Sequence, residues 1–271
     1  MTRLKAVLWD VDGTLAETER DGHRVAFNHA FEASGLTWRW SVERYGELLA
    51  VTGGRERLLH DMATRADAPP SAAERETLAR AVHLRKNAIY AEIVNRGGIV
   101  SRPGVMDLFE ECRARGVCMA ITTTTSKSNV DALLRAHLGP SWAGGFAAIV
   151  CGEDVSTKKP DPEVFTTALR RLALGPLQTL AIEDSPGGVA AARAADVPVV
   201  VTRSVYFATA TVEGAIAIGP SLGQRDGWRP ALPHAGADHV TLDDLAEWHR
   251  RMGSMSEPEC LFSAQPRRVR S

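Results

Sequence analysis

Two aspartates stand at positions 10 and 12, directly after a short apolar run, Ala6 to Trp9, in the stretch Asp10-Val11-Asp12-Gly13-Thr14-Leu15. Carboxylates at i and i+2 beyond a buried strand lie where open α/β sheets bind their ligands. Gly13 allows the sharp turn that must follow. A carboxylate placed there can attack phosphorus as a nucleophile. Its neighbour can protonate the leaving oxygen and later deprotonate the attacking water. A bare Asp-x-Asp is most often a solvated turn; the whole run after an N-terminal strand is far more specific.

Three later stations suit the same chemistry. The run Val117 to Ile121 ends in Thr122-Thr123-Thr124-Thr125, where a hydroxyl and adjacent backbone N–H groups can hold phosphoryl oxygens. Taken alone, such a run is more often β-propensity followed by a helix cap. Lys158-Lys159-Pro160-Asp161-Pro162 precedes an amphipathic stretch, and a lysine fixed there can neutralise a phosphate and Asp10 together. Its blander alternative is a solvated pair before a helix. Leu180 to Ile182 ends in Glu183-Asp184-Ser185. Acids at the end of a buried strand are costly unless something binds them, and magnesium prefers such oxygen ligands. Here the competing explanation is helix N-capping by Asp184 or Ser185. None of the three is decisive by itself; their order is, because each falls at the carboxyl end of a successive expected strand.

The elements that must position these residues alternate. Apolar runs at Ala6–Trp9, Val117–Ile121, 146–151, 180–182 and 197–201 suit the doubly buried strands of a parallel sheet. Helical spacing lies between them, as in Val105, Leu108, Phe109 and Cys112, and in Phe165, Ala168, Leu169 and Leu172. The pattern predicts an α/β, Rossmann-like parallel sheet. Residues 17–97 break the alternation with helical patterns only, so a helical cap is expected there. Residues 1–16 and 98–252 then form the core, and a polar tail runs over 253–271. The 271 residues are 44% hydrophobic and 24% charged, with a net charge of −1. That balance gives no basic excess for nucleic acid and no charged face for a membrane. No stretch approaches the roughly 18 apolar residues of a membrane span, and the first ten residues reach a carboxylate too soon for a signal peptide. Cys112, Cys118, Cys151 and Cys260 show neither CxxC pairing nor metal spacing, which suits inert thiols in a reducing cytoplasm.

Together, DVDGTL, the threonines, KKPDP and EDS resemble the haloacid dehalogenase superfamily over nearly residues 4–203. The segments DVDGTLAETE, AFNHAF, TGGRERL, ITTTTS, KKPDP and IEDSPGG are similar to its CbbY-type branch. The resemblance implies a magnesium-dependent phosphatase with a first-type helical cap, working through an aspartyl-phosphate. It implies as substrate xylulose 1,5-bisphosphate, a Rubisco-inhibiting misfire product, converted to xylulose 5-phosphate in the Calvin cycle. By the same resemblance Asp10 is the nucleophile and Asp12 the general acid/base, which would also bind the metal through its carbonyl. Glu183 and Asp184 complete that site, Lys159 bridges to phosphate, and Thr123, with one residue of play in the count, holds it beside Thr124. From the cap, Glu17 would bond a sugar hydroxyl and Arg55 a second phosphate, with His23, His83, Arg85 and Lys86 as further candidates. Gly22 interrupts a helix, and His23 falls one position away from the polar hinge residue of related mutases. A monomer acting on a small phosphorylated sugar is expected, with neither nucleic acid nor membrane as partner. The alternatives are a β-phosphoglucomutase-like mutase, a phosphoglycolate phosphatase, and a regulatory binding protein that keeps the fold without turnover.

Overall fold

β1 (Ala6–Trp9) is buried at all four positions, and its chain then leaves the sheet for four helices. These are α1 (Arg24–Ala33), α2 (Val42–Leu48), α3 (Gly54–Met62) and α4 (Ala72–Asn95). α5 (Val105–Ala114) leads back to β2 (Cys118–Thr122), α6 (Lys127–Leu138), β3 (Ala148–Val150), α7 (Glu163–Leu172), β4 (Thr179–Glu183), α8 (Pro186–Ala194) and β5 (Val199–Thr202). β6 (Ala217–Gly219) and α9 (Leu242–Met255) follow. The structure, a computed structural model, describes residues 3–232 and 237–255, the last three by backbone alone. The tail expected from 253 therefore lies almost wholly outside the described residues, as does Cys260.

The six strands are parallel in the order β3-β2-β1-β4-β5-β6. In register, Trp9 stands beside Ile121 on one side and Ile182 on the other, so the residues after Trp9, Ile121 and Ile182 emerge at one edge. Both faces of the sheet are covered, which is why its strands read as unbroken apolar runs. Val7 and Trp9 pack into the cluster with α5, α6 and α9, where the Trp9 and Phe109 rings meet edge to face at 4.7 Å. Leu8 packs into the opposite cluster with Val164, Phe165 and Val189. Five strands were expected and six are present: β6 is three residues long, in a stretch rich in Gly and Pro, too short to leave a pattern.

Between β1 and α5 a third cluster closes around Phe27, Phe31, Trp38, Trp40, Tyr45, Leu58, Met62 and Val82. The Trp40 indole centres it, with Phe27 and Phe31 at 4.8 and 4.9 Å, and its N–H donates to Asp61 at 2.8 Å. A capping box, Ser71 with Glu74, starts α4, whose later turns pack on α6.

Glu19–His23 forms a π-helical turn leading directly into α1. A π turn takes one more residue than an α turn, and His23 is its last residue. Gly22 is the residue that makes this turn possible: a Cβ there would sit 2.8 Å from Tyr90 Cε2. Tyr90 cannot yield, because it is fully buried and its ring lies against His23 at 4.2 Å. Helix propensity alone would make Gly22→Ala stabilising by about 1 kcal/mol. The packing reverses the sign: we expect Gly22→Ala to destabilise by about 1–3 kcal/mol, measured as a lower midpoint of denaturant unfolding.

Candidate active site

Asp10 follows β1 immediately, and its backbone N–H donates to the Ile182 carbonyl at 3.1 Å. The chain then turns sharply: Leu15 N donates to Val11 O and Gly13 N to Ala16 O, both at 2.9 Å, with Gly13 at φ +85°. The turn is pressed against Asp184, since a Cβ on Gly13 would lie 2.0 Å from its Oδ2.

Lys159 spends all three ammonium protons at this edge. It donates to Asp10 Oδ1 at 2.7 Å, Thr122 O at 2.8 Å and Glu183 Oε1 at 2.5 Å. Asp10, Glu183 and Asp184 each offer an oxygen, and these oxygens lie within 4.8 Å of one another, all three residues buried. One ammonium faces three carboxylates. Burial, followed by the charges of Glu183 and Asp12 and opposed by Lys159, pushes Asp10 up to about 7. Burial together with Asp10 and Glu183 holds Asp184 well above the usual carboxylate range. Burial would lower Lys159, but Asp10 and Glu183 outweigh it and raise the ammonium above its ordinary value. An all-oxygen set with excess negative charge fits a hard divalent cation such as Mg²⁺. Ser185, not Asp184, caps α8 by accepting from Gly188 N at 3.0 Å, which leaves the Asp184 carboxylate in the cluster.

Asp12 stands apart from that cluster. Its Oδ1 accepts from Thr18 Oγ1 at 2.5 Å and contacts His23 Nε2 at 2.9 Å. Burial alone would raise it; the His23 charge and hydrogen bond, with Thr18, outweigh burial and hold it well below the usual range. Its Oδ1 is thus held by the start of the insertion, apart from the Asp10, Glu183 and Asp184 oxygens.

A cavity of about 870 Å³ rises from these residues toward the helical insertion. Thr123, Thr124, Lys159 and Asp184 line its floor, and Glu19, Arg55, Arg57, His83 and Lys86 its far wall. Thr123 reaches the cavity and Thr122 does not; Thr123 Oγ1 accepts from Thr125 N at 3.2 Å, leaving its own proton to donate. His23 also lines the cavity, but its Nε2 is spent on Asp12.

Glu17 is not on the cavity wall. It pairs with Arg102 at 3.4 Å and accepts from Val205 N at 3.3 Å. Glu19, two residues on and the first residue of the π turn, is the acid that faces the cavity. Tyr45 OH donates to Glu19 at 2.5 Å and Arg57 Nη1 donates to Tyr45 at 2.6 Å. Arg55 is engaged with Glu76 at 2.7 Å, and Arg85 turns away to the Ala33 carbonyl. Lys158, read as a bystander, reaches Glu56 at 2.8 Å across the mouth. Sequence reasoning missed Thr18, Glu19, Tyr45 and Arg57. Glu19 and Arg57 carried a signal, each two residues from a chosen candidate of its own type. Elsewhere, burial pushes the Cys112 and Cys151 thiols up to about 12, so they are inert.

Residues 4–196 match the model of the haloacid dehalogenase-like hydrolases. The chain belongs to that family, and by class it is a phosphatase. Among its relatives, the plasmid-encoded protein CbbY of Cupriavidus necator is 43% identical over 249 residues, 91% of this chain and 97% of that one. A crystal structure of a CbbY mutant from Rhodobacter sphaeroides with xylulose-(1,5)-bisphosphate is 34% identical, with a TM-score of 0.78 over 89% of this chain and 99% of that one. CbbY of the same organism in complex with phosphate is 38% identical, with a TM-score of 0.73 over 78% and 92% of the two chains. Among the described residues no helix is long and apolar enough to cross a membrane.

The acidic cluster generates a prediction that does not depend on substrate. At one hundred times its Kd, Mg²⁺ adds about 2.7 kcal/mol of stability, a rise in Tm on the order of 5–10 °C for a chain this size. Asp184→Asn should lose that rise, with the metal-free Tm unchanged or higher because a carboxylate has left a like-charged cluster. A full Mg²⁺ shift in the variant, read by differential scanning calorimetry, would contradict the site.

Proposed function

We propose that the protein is a Mg²⁺-dependent sugar-phosphate phosphatase that works through an aspartyl-phosphate at Asp10, with xylulose 1,5-bisphosphate as substrate and xylulose 5-phosphate as product. The observation that carries the reading is the contrast between Asp10 and Asp12. One carboxylate is held beside Lys159 among acids; the other, two residues on, is held by Thr18 and His23. Asp10 lies with Lys159, Glu183 and Asp184, where a bound divalent cation would favour its anionic, nucleophilic form, whereas Asp12 lies apart from that cluster with an imidazole 2.9 Å away as its proton partner. The metal would be held by the carboxylates of Asp10, Glu183 and Asp184 and the carbonyl of Asp12, and when bound it supplies charge that offsets the phosphoryl oxygens.

Lys159 orients Asp10 and sets its positive charge beside the phosphate, while the Thr123 hydroxyl and the N–H groups around Thr124 hold phosphoryl oxygens. An Asp10 oxygen bonds to phosphorus as the bond to the sugar oxygen breaks. Asp12 gives that oxygen a proton, with His23 Nε2 at 2.9 Å able to hold or pass it. Asp12 then takes a proton from water, which attacks the phosphorus and restores Asp10. Residues 17–97 act as a cap whose opening admits substrate and whose closure excludes water. Asp10→Asn should retain its fold by circular dichroism and release no phosphate; turnover by the folded variant would refute the mechanism.

The cavity has room for more than one phosphate, and its far wall supports a bisphosphate. Arg55, Arg57 and Lys158 all have acidic partners. Lys86 does not. It is 2% exposed, its Nζ reaches only Asn87 Oδ1 at 3.4 Å, and it lies over the Phe27 and Tyr90 rings at 5.3 and 5.2 Å. A buried cation without a carboxylate is a natural seat for the second phosphate, ahead of Arg55. Burial lowers Lys86 to about 8 against the opposing pull of Asp12 and Glu19. It is therefore charged below that pH and neutral above it, so kcat/KM should fall as pH rises past about 8. Lys86→Met should remove that limb and raise KM for the bisphosphate by about tenfold or more, while leaving turnover of monophosphates nearly unchanged. Phosphate release from xylulose 1,5-bisphosphate, ribulose 1,5-bisphosphate, phosphoglycolate and glucose 1-phosphate, with and without Mg²⁺, measures the preference. Indifference to the xylulose compound would overturn the substrate.

A further inference from the structure

Arg102 lies outside the cavity, and the chemistry above makes no use of it. Yet it is a guanidinium only 7% exposed, and all three of its nitrogens have acceptors. Nη1 donates to the Gly13 carbonyl and lies 2.9 Å from Thr202 Oγ1 and 3.2 Å from Thr202 O. Nη2 donates to the carbonyls of Arg203 at 2.6 Å and Pro220 at 3.0 Å. Nε faces Glu17 Oε1 at 3.4 Å.

These partners come from four places that must stay in register, one of them the Pro220 carbonyl just beyond β6. Gly13 belongs to the turn that carries Asp10 and Asp12, and it is wedged against Asp184 and against Ser204, whose Cβ would be 3.1 Å from a Cβ on Gly13. Thr202 and Arg203 end β5, next to the strand that carries Glu183. Glu17 and Arg102 lie on the two passages between the sheet and the helical insertion. Those passages run side by side: Arg102 N donates to Leu15 O at 2.8 Å, and Ala16 bridges Ser101. A planar fork of five donors can reach this spread of acceptors; a lysine, with three donors at one point, cannot.

We infer that Arg102 is a positioning residue, whose guanidinium fixes the turn presenting Asp10 and Asp12 and ties that turn, through Glu17, to both passages of the cap hinge. Glu17 belongs to this clamp, not to the substrate. Releasing the Gly13 carbonyl lets the turn shift, and displacements of about 1 Å at reacting groups cost on the order of a hundredfold in rate.

The test uses Arg102→Lys, Arg102→Gln and the milder Thr202→Val and Glu17→Gln in the full chain, with kcat, KM and Tm for each. The kinetic arm rests on the phosphatase reading. We expect kcat of folded Arg102→Lys to fall about 10- to 100-fold, further for Arg102→Gln and by about threefold for the milder pair, with KM unchanged within about twofold throughout. Hydrogen exchange should quicken in residues 11–16 and 203–205 and not in β1 or β4. A purely structural role would lower Tm and leave kcat per folded molecule as in the wild type, which overturns the inference; so does a loss carried by KM, including a raised KM in Glu17→Gln. If neither Arg102 variant folds, unchanged kcat and exchange in Thr202→Val overturns it. If the wild-type protein releases no phosphate from any substrate, the phosphatase reading fails by itself. The exchange pattern then decides for or against the clamp.

Discussion

The site depends on one ammonium group. Among the described residues Lys159 is the sole cation bonded to Asp10 and Glu183, and with Asp184 these acids form a buried cluster that no single positive charge can balance. Buried ion pairs are weak evidence of stability, since desolvation offsets most of the attraction. What this one secures is placement. By taking Thr122 O as its third acceptor, Lys159 joins the ends of β1, β2 and β4, so the strand order of the sheet becomes the geometry of the site. The leftover negative charge is what invites a divalent ion, and it keeps Asp10 from being a fully formed anion until that charge is met.

Two aspartates separated by one valine would ordinarily share an environment. Here the Gly13 turn separates them, and the partners of Asp12 come from the far side of that turn. Thr18 and His23 belong to the start of the insertion. The helices between β1 and α5 therefore do more than roof the cavity. They set the electrostatics of one of the two carboxylates, and the π turn at Glu19–His23 puts the imidazole where it can do so.

Much of this was legible in the chain. The parallel sheet followed from apolar runs of strand length, and the edge of the sheet from the polar residues that end them. Thr123 could be chosen by counting because β2 is regular up to Thr122. Legibility ended where contacts between distant segments place a side chain. Glu17 was chosen for its place just past the nucleophile loop, and no sequence pattern shows that it pairs with Arg102 while Glu19, in the π turn, faces the cavity. Arg55 was chosen for its phosphate-matching fork, and that Glu76 takes this guanidinium while Arg57 reaches Tyr45 depends on contacts between helices that the sequence does not display. Arg102 was invisible because most of its acceptors are carbonyls, which carry no side-chain signature, and because Thr202 lies a hundred residues away in sequence. β6 was missed because three residues cannot establish alternation.

The position of β1 has a consequence for how the molecule comes to exist. Its partners are residues 118–121 and 179–182, so the strand that leads to Asp10 is synthesised before both and can pair on one side only once residue 121, and on the other only once residue 182, has followed. The insertion's own aromatic cluster draws on residues 27–82 alone, and it can close while β1 still has two bare edges. Long-range parallel pairing is slow to form, and an unpaired apolar strand is a place where nascent chains stick to one another. The catalytic strand is thus also the segment most in need of protection during synthesis. At four residues β1 is short, which keeps that exposed surface small.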